Sequence, residues 1–325
     1  MAEGGLNIAL YGAMGALGEQ VLLGLESEGL AANLTAVGAE RSAGSDLNWR
    51  GTRTTVVPEN QVAVEALDAA ILALPATRAS ALRDELTRQG VLVIDASSDP
   101  RQHALPIVWP HINTEGLENH SGAIALPSPI MSTIAPALAP FWEDSGLNRV
   151  HVVALTGASA HGRGAEKSFA QQTLSLLNSR LPSTGDLDGI LAFNVLTGRD
   201  DADALNARLR IEASRLLGPS DVELSVQRLQ IPVFAGLTCA IALHFEEPVS
   251  LEALAGSFES RDDTARILPT GSGLRDALER EDVTLTGVHQ PGETTLGLVA
   301  FADATHRTGM TAAKLLVQIV EEDLW

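Results

Sequence analysis

The stretch LNIALYGAMGALGEQVLLGL, residues 6–25, contains an apolar run, a glycine-rich turn and a helical pattern in direct succession. The apolar run at residues 8–11 is too short for a helix and ends at a glycine, which predicts a buried strand. Behind the glycines, Val21, Leu22 and Leu25 recur at helical spacing. Strand, turn and helix in this order predict the first unit of a parallel α/β sheet.

The turn is formed by Gly12, Gly15 and Gly18. In this context the first glycine permits a tight turn, the second allows a pyrophosphate to approach the backbone, and the third lets the helix pack closely on the strand. The helix N-terminus at Ala16 and Leu17 offers N–H donors and positive dipole to an anion. The spacing G-x-x-G-x-x-G is a variant of the usual fingerprint, and a glycine turn without a nucleotide is the alternative interpretation.

The rest of the first third alternates between strand and helix patterns. Apolar runs at 34–39, 69–74 and 91–94 predict buried strands, residues 54–57 predict a short one, and 79–89 predict a helix. Nearly continuous apolar strands that alternate with helices are typical of a parallel sheet covered on both faces.

The pattern changes after a proline-rich passage that ends near Pro129. Helices are predicted at 132–142 (limited or kinked by two prolines), 165–177, 205–217 and 311–323, and strands at 151–155, 223–233, 238–245, 283–285 and 296–301. Several long strands with an occasional helix indicate a second, α+β domain built on a mostly antiparallel sheet.

Composition excludes several classes of function. The 325 residues include 22 basic and 41 acidic ones, and a net charge of −19 argues against nucleic acid and anionic membranes as partners. A single cysteine, Cys239, permits no intrachain disulfide and no cysteine-based zinc site, and the histidines show no ligand spacing, so we predict no metal. We expect a cytoplasmic protein, because no signal core and no membrane-spanning apolar run is present.

Several separated motifs together resemble the aspartate-semialdehyde dehydrogenase family along nearly the full length of the chain. They are GAMGALG, ERSAG (40–44), VLVIDASSDPR (91–101), LPIVWPHIN (105–113), SPIMST (128–133), AEKSFAQQTLSLLN (165–178), AFNVL (192–196) and IPVFAGLT (231–238). The resemblance implies a Rossmann-type cofactor domain at 1–127 completed by a C-terminal helix at 305–325. It also implies a dimerisation and catalytic-type domain at 128–304, an NADP cofactor and a homodimer.

Residues after the second predicted strand bear on the choice of cofactor. Arg41 and Ser42 stand where the resemblance places the adenosine ribose, and a guanidinium there can pair bidentately with a 2′-phosphate, which favours NADP. The neighbouring Glu40 favours a free 2′-hydroxyl, so NAD stays an alternative. The family usually has threonine at the position of Met14, so one polar contact is absent while the backbone donors remain.

The catalytic positions implied by the resemblance hold unsuitable side chains. The family's nucleophilic cysteine, at the start of a helix, falls at Met131, and a thioether forms no thiolate. The family's general acid–base histidine falls at Leu237, the glutamine that orients the substrate at Thr156, and the arginine that binds its carboxylate at Gln230. Only Arg101 keeps an anion-binding place, with Arg208 as a weaker second.

Few other residues could replace these groups. Cys239 shares a strand face with Leu237 but is interpreted as a small core residue. Three hydroxyls flank Met131 (Ser128, Ser132 and Thr133), yet no histidine is positioned to activate them. His161 is the one histidine near the predicted site, although it also fits a solvent-facing turn.

We therefore predict an NADP(H)-binding pseudoenzyme of this family, able to form a heteromer with an active relative. The alternatives are an active NADP-dependent oxidoreductase of amino-acid biosynthesis, with His161 or water as proton donor, and an assembly partner whose cofactor turn is empty.

Overall fold

The structure is a computed structural model that describes residues 5–98, 105–143, 146–198, 201–250 and 265–325. Its helices are α1 (Ala16–Ser27), α2 (Ala76–Arg88), α3 (Pro129–Leu138), α4 (Arg163–Leu177), α5 (Ala202–Leu216) and α6 (Ala304–Glu321). Its strands are β1 (Leu6–Tyr11), β2 (Ala32–Gly38), β3 (Asp46–Trp49), β4 (Thr52–Thr55), β5 (Val57–Pro58), β6 (Ala69–Leu72), β7 (Leu92–Asp95), β8 (Ala123–Ala125), β9 (Leu147–Thr156), β10 (Leu196–Thr197), β11 (Glu223–Gln230), β12 (Leu237–Phe245), β13 (Ala265–Ile267), β14 (Val283–Gly292) and β15 (Thr295–Ala302).

The chain divides into two compact units, Met1–Pro127 with Thr308–Trp325, and Ser128–Arg307. The first unit contains a six-stranded sheet in the order β5-β2-β1-β6-β7-β8, and every pairing in it is parallel. Ile8 and Leu10 pack into one core with α1 and the later part of α6, while Ala9 and Tyr11 pack into another with α2. Burial of both faces explains why the strands are continuously apolar, and the α/β prediction is confirmed.

The second unit is built on a seven-stranded sheet in the order β10-β11-β9-β12-β15-β14-β13. β9 runs parallel to β11 and β13 runs parallel to β14, and the other four pairings are antiparallel. Helix α3 packs on β12 and β15. The predicted α+β domain with a mostly antiparallel sheet is therefore confirmed.

Helices α3 and α6, like α2, α4 and α5, begin earlier than their apolar patterns predict. Helix α3 begins at Pro129 and ends before 142, because Ser128 caps it by accepting the Met131 N–H and a proline suits the first helical position. Helix α6 begins at Ala304, not 311, because the Asp303 carboxylate accepts the backbone N–H of His306. The apolar stripe marks only the buried part of each helix, whereas the caps set the ends.

Helix α3 continues through Pro136 with help from a buried arginine. Proline has no N–H, so the carbonyl of Ser132, one turn earlier, has no helical partner. Arg307 Nη1 donates to that carbonyl at 3.0 Å, and its Nε donates to the carbonyl of Glu281 at 2.8 Å. Burial lowers the pKa of Arg307 to about 10, against the opposing effect of three nearby carboxylates, Asp282, Glu281 and Asp303. The guanidinium thus stays charged at neutral pH and completes the helix.

Among the helices in the described ranges, none combines the length and apolar character needed to cross a membrane.

Candidate functional site

The glycine turn of the first unit has a backbone that other residues would disrupt. Gly12 has a φ of +86°, and a Cβ there would lie 2.2 Å from the carbonyl oxygen of Ala73. A Cβ on Gly18 would lie 2.3 Å from the carbonyl oxygen of Gly12. The N–H of Gly12 donates to the carbonyl of Val37 at 2.9 Å, which joins the turn to the end of β2. The turn is therefore fixed by close backbone approach.

Gly15 differs from its two neighbours, because its conformation does not demand glycine. It caps α1 with a φ of −79°, and a Cβ there would meet only the Gly12 carbonyl oxygen, at 3.1 Å. The cap residue Gly15 has no side chain to cap α1, and within the described residues no side chain accepts from the first-turn N–H groups of Ala16 and Leu17. Met14 and Leu17 are partly buried and pack their side chains on the core of the first unit. The absence of a side chain at Gly15, next to the N–H donors that begin α1, leaves space that fits a dinucleotide pyrophosphate.

The residues predicted to contact the ribose lie on a short 3₁₀ turn, Glu40–Ser42, directly after β2. Arg41 and Glu40 are exposed, and neither side chain makes a hydrogen bond or ion pair within the described residues. The N–H of Ser42 donates to the carbonyl of Ala39 at 2.7 Å and fixes the turn. Both the cation that favours NADP and the carboxylate that favours NAD are thus available for contact.

In the second unit, Met131 lies in the first turn of α3 and is fully buried. The start of this helix is held by a buried carboxylate, because the N–H and hydroxyl of Ser128 both donate to Glu212 Oε2, at 3.0 and 2.6 Å. Glu212 Oε1 accepts from Arg208 Nε at 2.7 Å, while Arg208 Nη2 is buried without a partner in the described ranges. The thioether of Met131 has no proton to exchange, so this helix start presents no nucleophile.

Three of the predicted catalytic positions lie side by side at the ends of adjacent strands. Thr156, the last residue of β9, pairs with Gln230 of β11 on one side and with Leu237 of β12 on the other. All three side chains are buried. The hydroxyl of Thr156 donates to the carbonyl of Leu229 at 3.2 Å, so it is already engaged with the backbone. We call Thr156, Gln230 and Leu237 the strand-end cluster.

The other nucleophile candidates are also engaged or buried. Cys239 is fully buried, and burial raises the pKa of its thiol far above the ordinary value, so it stays protonated. The hydroxyls of Ser132 and Thr133 both donate to the carbonyl of Pro129, at 3.1 and 2.8 Å. None of these groups is poised as a nucleophile.

His161 contacts the strand-end cluster, as its place in the sequence suggested. It ends the 3₁₀ turn Ala158–His161 and is exposed, yet its Nε2 lies 2.9 Å from Gln230 Nε2. An amide NH₂ can only donate, so with the amide in this orientation His161 Nε2 is the acceptor. Gln230 Nε2 also donates to Asp188 Oδ2 at 3.4 Å. Sequence reasoning missed Asp188, which lies far from Gln230 along the chain.

A buried glutamine on α4 fixes the loop that carries Asp188. Gln172 Nε2 donates to the carbonyls of Thr184 and Gly189 at 3.1 and 3.0 Å, and its Oε1 accepts the N–H groups of Leu191 and Ala192 at 2.8 and 3.2 Å. These four bonds use all of its capacity. Sequence reasoning missed this role, although a glutamine three residues after a buried phenylalanine on a helix was a signal.

Arg101, the predicted anion-binding residue, lies outside the described residues. In the described part of the chain, no group of three or more histidine, cysteine, aspartate or glutamate residues is arranged to hold a metal ion.

Two family models match the chain: the NAD-binding domain of semialdehyde dehydrogenase at residues 7–120 and the semialdehyde dehydrogenase dimerisation domain at residues 138–303. The chain belongs to the semialdehyde dehydrogenase family. It therefore has an NAD(P)-binding domain and a second domain that matches the family's dimerisation domain. The resemblance to this family noted in the sequence is confirmed.

Its relatives include the USG-1 protein homolog of Pseudomonas aeruginosa, 30% identical over 291 residues that cover 87% of this chain and 83% of the relative. The aspartate-semialdehyde dehydrogenase of Bacillus subtilis is 28% identical over 246 residues, 71% of each chain. Aspartate-semialdehyde dehydrogenase 2 of Vibrio cholerae is 24% identical over 333 residues, 98% of each.

Solved structures of this semialdehyde dehydrogenase family share the fold. A probable aspartate-semialdehyde dehydrogenase from Pseudomonas aeruginosa has a TM-score of 0.91 at 24% identity, over 98% of this chain and 99% of that one. The aspartate-semialdehyde dehydrogenase of Candida albicans, solved with NADP, has a TM-score of 0.73 at 15% identity, over 99% and 100%. At these identities the likeness establishes the fold alone.

Proposed function

We propose that this chain is an NADP(H)-binding member of the semialdehyde dehydrogenase family that does not carry out phosphorylating semialdehyde oxidation. The observation that carries the proposal is the buried Met131 in the first turn of α3. The family reaction needs a thiolate that attacks the substrate and forms a covalent intermediate, and a thioether cannot do so. Removal of the nucleophile alone costs a factor of about 10⁶ in comparable covalent enzymes.

The strand-end cluster supports the same conclusion independently of Met131. Leu237 cannot carry a proton, and Thr156 uses its hydroxyl on the backbone. Gln230 has no charge with which to bind a substrate carboxylate. The chain would then lack a nucleophile, a base and two substrate-binding groups. Together these losses are consistent with a protein that does not perform phosphorylating semialdehyde oxidation.

The cofactor half of the proposal rests on the glycine turn. Gly12, Gly15 and Gly18 would let the pyrophosphate approach, and the N–H groups of Met14, Ala16, Leu17 and Gly18 would bind it, while the N–H of Gly15 donates to the Gly12 carbonyl. Arg41 and Ser42 would bind the 2′-phosphate of NADP, and Arg101 would bind an anionic group. When bound, the nicotinamide supplies a hydride donor or acceptor; the protein binds and orients it. The guanidinium of Arg41 is exposed and could pair bidentately with a 2′-phosphate, which supports NADP, while the neighbouring Glu40 keeps NAD as the alternative.

We also propose that the protein acts in the cytoplasm as a homodimer or as a heteromer with an active relative. The match to a dimerisation domain supports an assembly through this unit. A cofactor-binding subunit without its own turnover could then report NADP(H) levels to an active partner in amino-acid biosynthesis.

The test pairs two measurements on one sample. NADPH fluorescence is titrated with the protein, and reduction of NADP⁺ is followed with aspartate semialdehyde and phosphate. We expect saturable NADPH binding and no turnover above background, while Gly15→Val weakens binding without unfolding the protein. Turnover at the rate of an active family member would contradict the proposal, as would no response to NADPH in either fluorescence or melting temperature.

A second candidate function is direct hydride transfer to a carbonyl or imine, with no covalent intermediate. The contact between His161 and the strand-end cluster favours it, because an exposed imidazole there could deliver a proton. A screen of carbonyl compounds that follows NADPH oxidation, repeated with His161→Ala, separates the two functions. Oxidation that depends on His161 supports this candidate, and no oxidation with any compound rejects it.

A further inference from the structure

Gln230 has an unbalanced set of hydrogen bonds. Its side chain is 1% exposed, and its two amide hydrogens are directed to His161 Nε2 at 2.9 Å and Asp188 Oδ2 at 3.4 Å. Its Oε1 is buried and has no hydrogen-bond partner in the part of the chain that the structure describes. Buried polar atoms in native proteins almost always have a partner, so an orphaned acceptor marks a place where a donor is missing.

The orientation of this amide is determined by its neighbours. A flipped amide would point Oε1 at the Asp188 carboxylate, which only accepts, and two acceptors would face each other. Asp188 cannot easily move away, because Gln172 fixes the following residues and Ser168 Oγ accepts the N–H of Asp186 at 3.0 Å. Nε2 therefore faces Asp188, and Oε1 is the atom left for a ligand.

We propose that Gln230 Oε1 accepts a hydrogen bond from a bound small molecule, so that the strand-end cluster selects a carboxamide over a carboxylate. A carboxamide offers N–H donors, whereas a carboxylate would bring a third acceptor beside Oε1 and Asp188. Thr156 on the neighbouring strand and Leu237 on the strand beyond it offer no competing donor, because the threonine hydroxyl already donates to the Leu229 carbonyl and leucine has no polar side-chain group. This inference rests on the proposed function, since it takes the cluster as the ligand site of the second unit.

The test compares two probes that differ in one group, succinamate and succinate. Each is titrated by calorimetry into wild-type protein, with and without saturating NADPH. Because a site built around a hydrogen bond loses about ten-fold in affinity when the bond is replaced by a clash of acceptors, we expect succinamate to bind at least ten-fold more tightly. We expect Gln230→Met to abolish this preference and Gln230→Arg to reverse it.

A matched control and a stability measurement exclude a merely structural effect. Gln227 lies on the same strand and is exposed, so Gln227→Met should keep the preference. Without ligand, Gln230→Met should melt no lower than wild type, because it removes an unsatisfied buried acceptor.

Equal or tighter binding of succinate, binding of neither probe, or a preference that persists in Gln230→Met would overturn the inference. NADPH titration of the same samples reports on the proposed function separately. Normal NADPH binding without an amide preference refutes only the inference about Gln230. An amide preference without NADPH binding refutes only the cofactor assignment.

Discussion

The glycine turn of the first unit is formed by backbone atoms, whereas the strand-end cluster of the second unit is formed by side chains. The turn depends on the backbone, since Gly12 and Gly18 leave no room for a Cβ beside the Ala73 and Gly12 carbonyls. The cluster depends on side chains, since Thr156, Gln230 and Leu237 are brought together by strand pairing that any residue could make. Gly12 and Gly18 cannot change without disrupting the fold, whereas the side chains of the strand-end cluster can change while the strands keep their register.

This difference means that a chain can keep a family fold while the side chains at its strand ends change. Ladder hydrogen bonds hold Leu237 beside Thr156 whether or not the side chain carries a proton. A fold therefore does not imply an activity, and the activity has to be argued from the side chains in the site.

The largest expected effect on stability comes from removing the buried guanidinium of Arg307 in the second unit. Arg307→Met leaves the carbonyls of Ser132 and Glu281 unsatisfied in the core, and we expect a loss of about 2–4 kcal/mol in the free energy of unfolding. Urea denaturation measures it. In a Pro136→Ala background the helix supplies its own N–H to Ser132, so the same substitution should cost at least about 1 kcal/mol less. Equal costs in both backgrounds would show that Arg307 does not compensate for the proline.

A smaller effect should separate the glycines of the turn by role. Gly15→Val should leave the melting temperature within a few degrees of wild type, but weaken NADPH binding at least ten-fold (about 1.4 kcal/mol), because its side chain occupies the pyrophosphate position. Gly18→Ala should instead destabilise the first unit by about 1–3 kcal/mol, because its Cβ meets the Gly12 carbonyl. Thermal unfolding and NADPH fluorescence distinguish these outcomes. An unchanged NADPH affinity in Gly15→Val would remove the turn from the cofactor site.

Restoring one catalytic group should not restore the reaction. We expect Met131→Cys to cost about 1 kcal/mol of stability and to give no semialdehyde oxidation, because Leu237 still offers no base. The matched variant is Met131→Cys with Leu237→His, assayed for NADP⁺ reduction with phosphate. Activity in the single variant would mean that the second unit had kept the rest of its chemistry.

The smallest effect concerns a histidine pair on the neighbouring strands β9 and β12 in the middle of the second sheet. The rings of His151 and His244 meet edge to face at 5.5 Å, and desolvation, followed by the charges of His151 and Arg149, lowers the pKa of His244. The unfolded chain then binds the proton more readily, so this contribution to stability is lost as the pH falls below about 6.5. Melting temperatures at pH 7 and pH 5 should differ less in His244→Gln than in wild type. An equal difference in both proteins would assign the acid sensitivity to other groups.

The sequence predicted the frame of the molecule well, because strands and helices are local patterns. The apolar runs predicted both sheets and, at residues 8–11, four of the six residues of the strand before the glycine turn. It misjudged the starts of α3 and α6, since the capping residues Ser128 and Asp303 are polar and lie outside the apolar stripe. Such cap residues can be identified in the sequence when the positions before each apolar stripe are searched for side-chain acceptors.

The site was predictable in its positions but not in its partners. Because Pro136 has no N–H, the sequence indicates that the carbonyl of Ser132 needs another donor. No residue near Pro136 in the sequence identifies Arg307, 175 residues away from Ser132, as that donor. In the same way, the position of Gln230 was identified, but its contacts with His161 and Asp188 depend on the pairing of distant strands and on a loop held by another helix. Such partners are set by tertiary packing, which no short window of sequence records.

The central claim is that the protein binds NADP(H) without performing phosphorylating semialdehyde oxidation. The most direct measurement is the rate of NADP⁺ reduction with aspartate semialdehyde and phosphate, on protein first shown by fluorescence to bind NADPH, compared with Met131→Ala. We predict a rate at background in both proteins. A rate well above background in wild type, abolished by Gly15→Val, would contradict the claim and show that another group on this chain has taken over the chemistry.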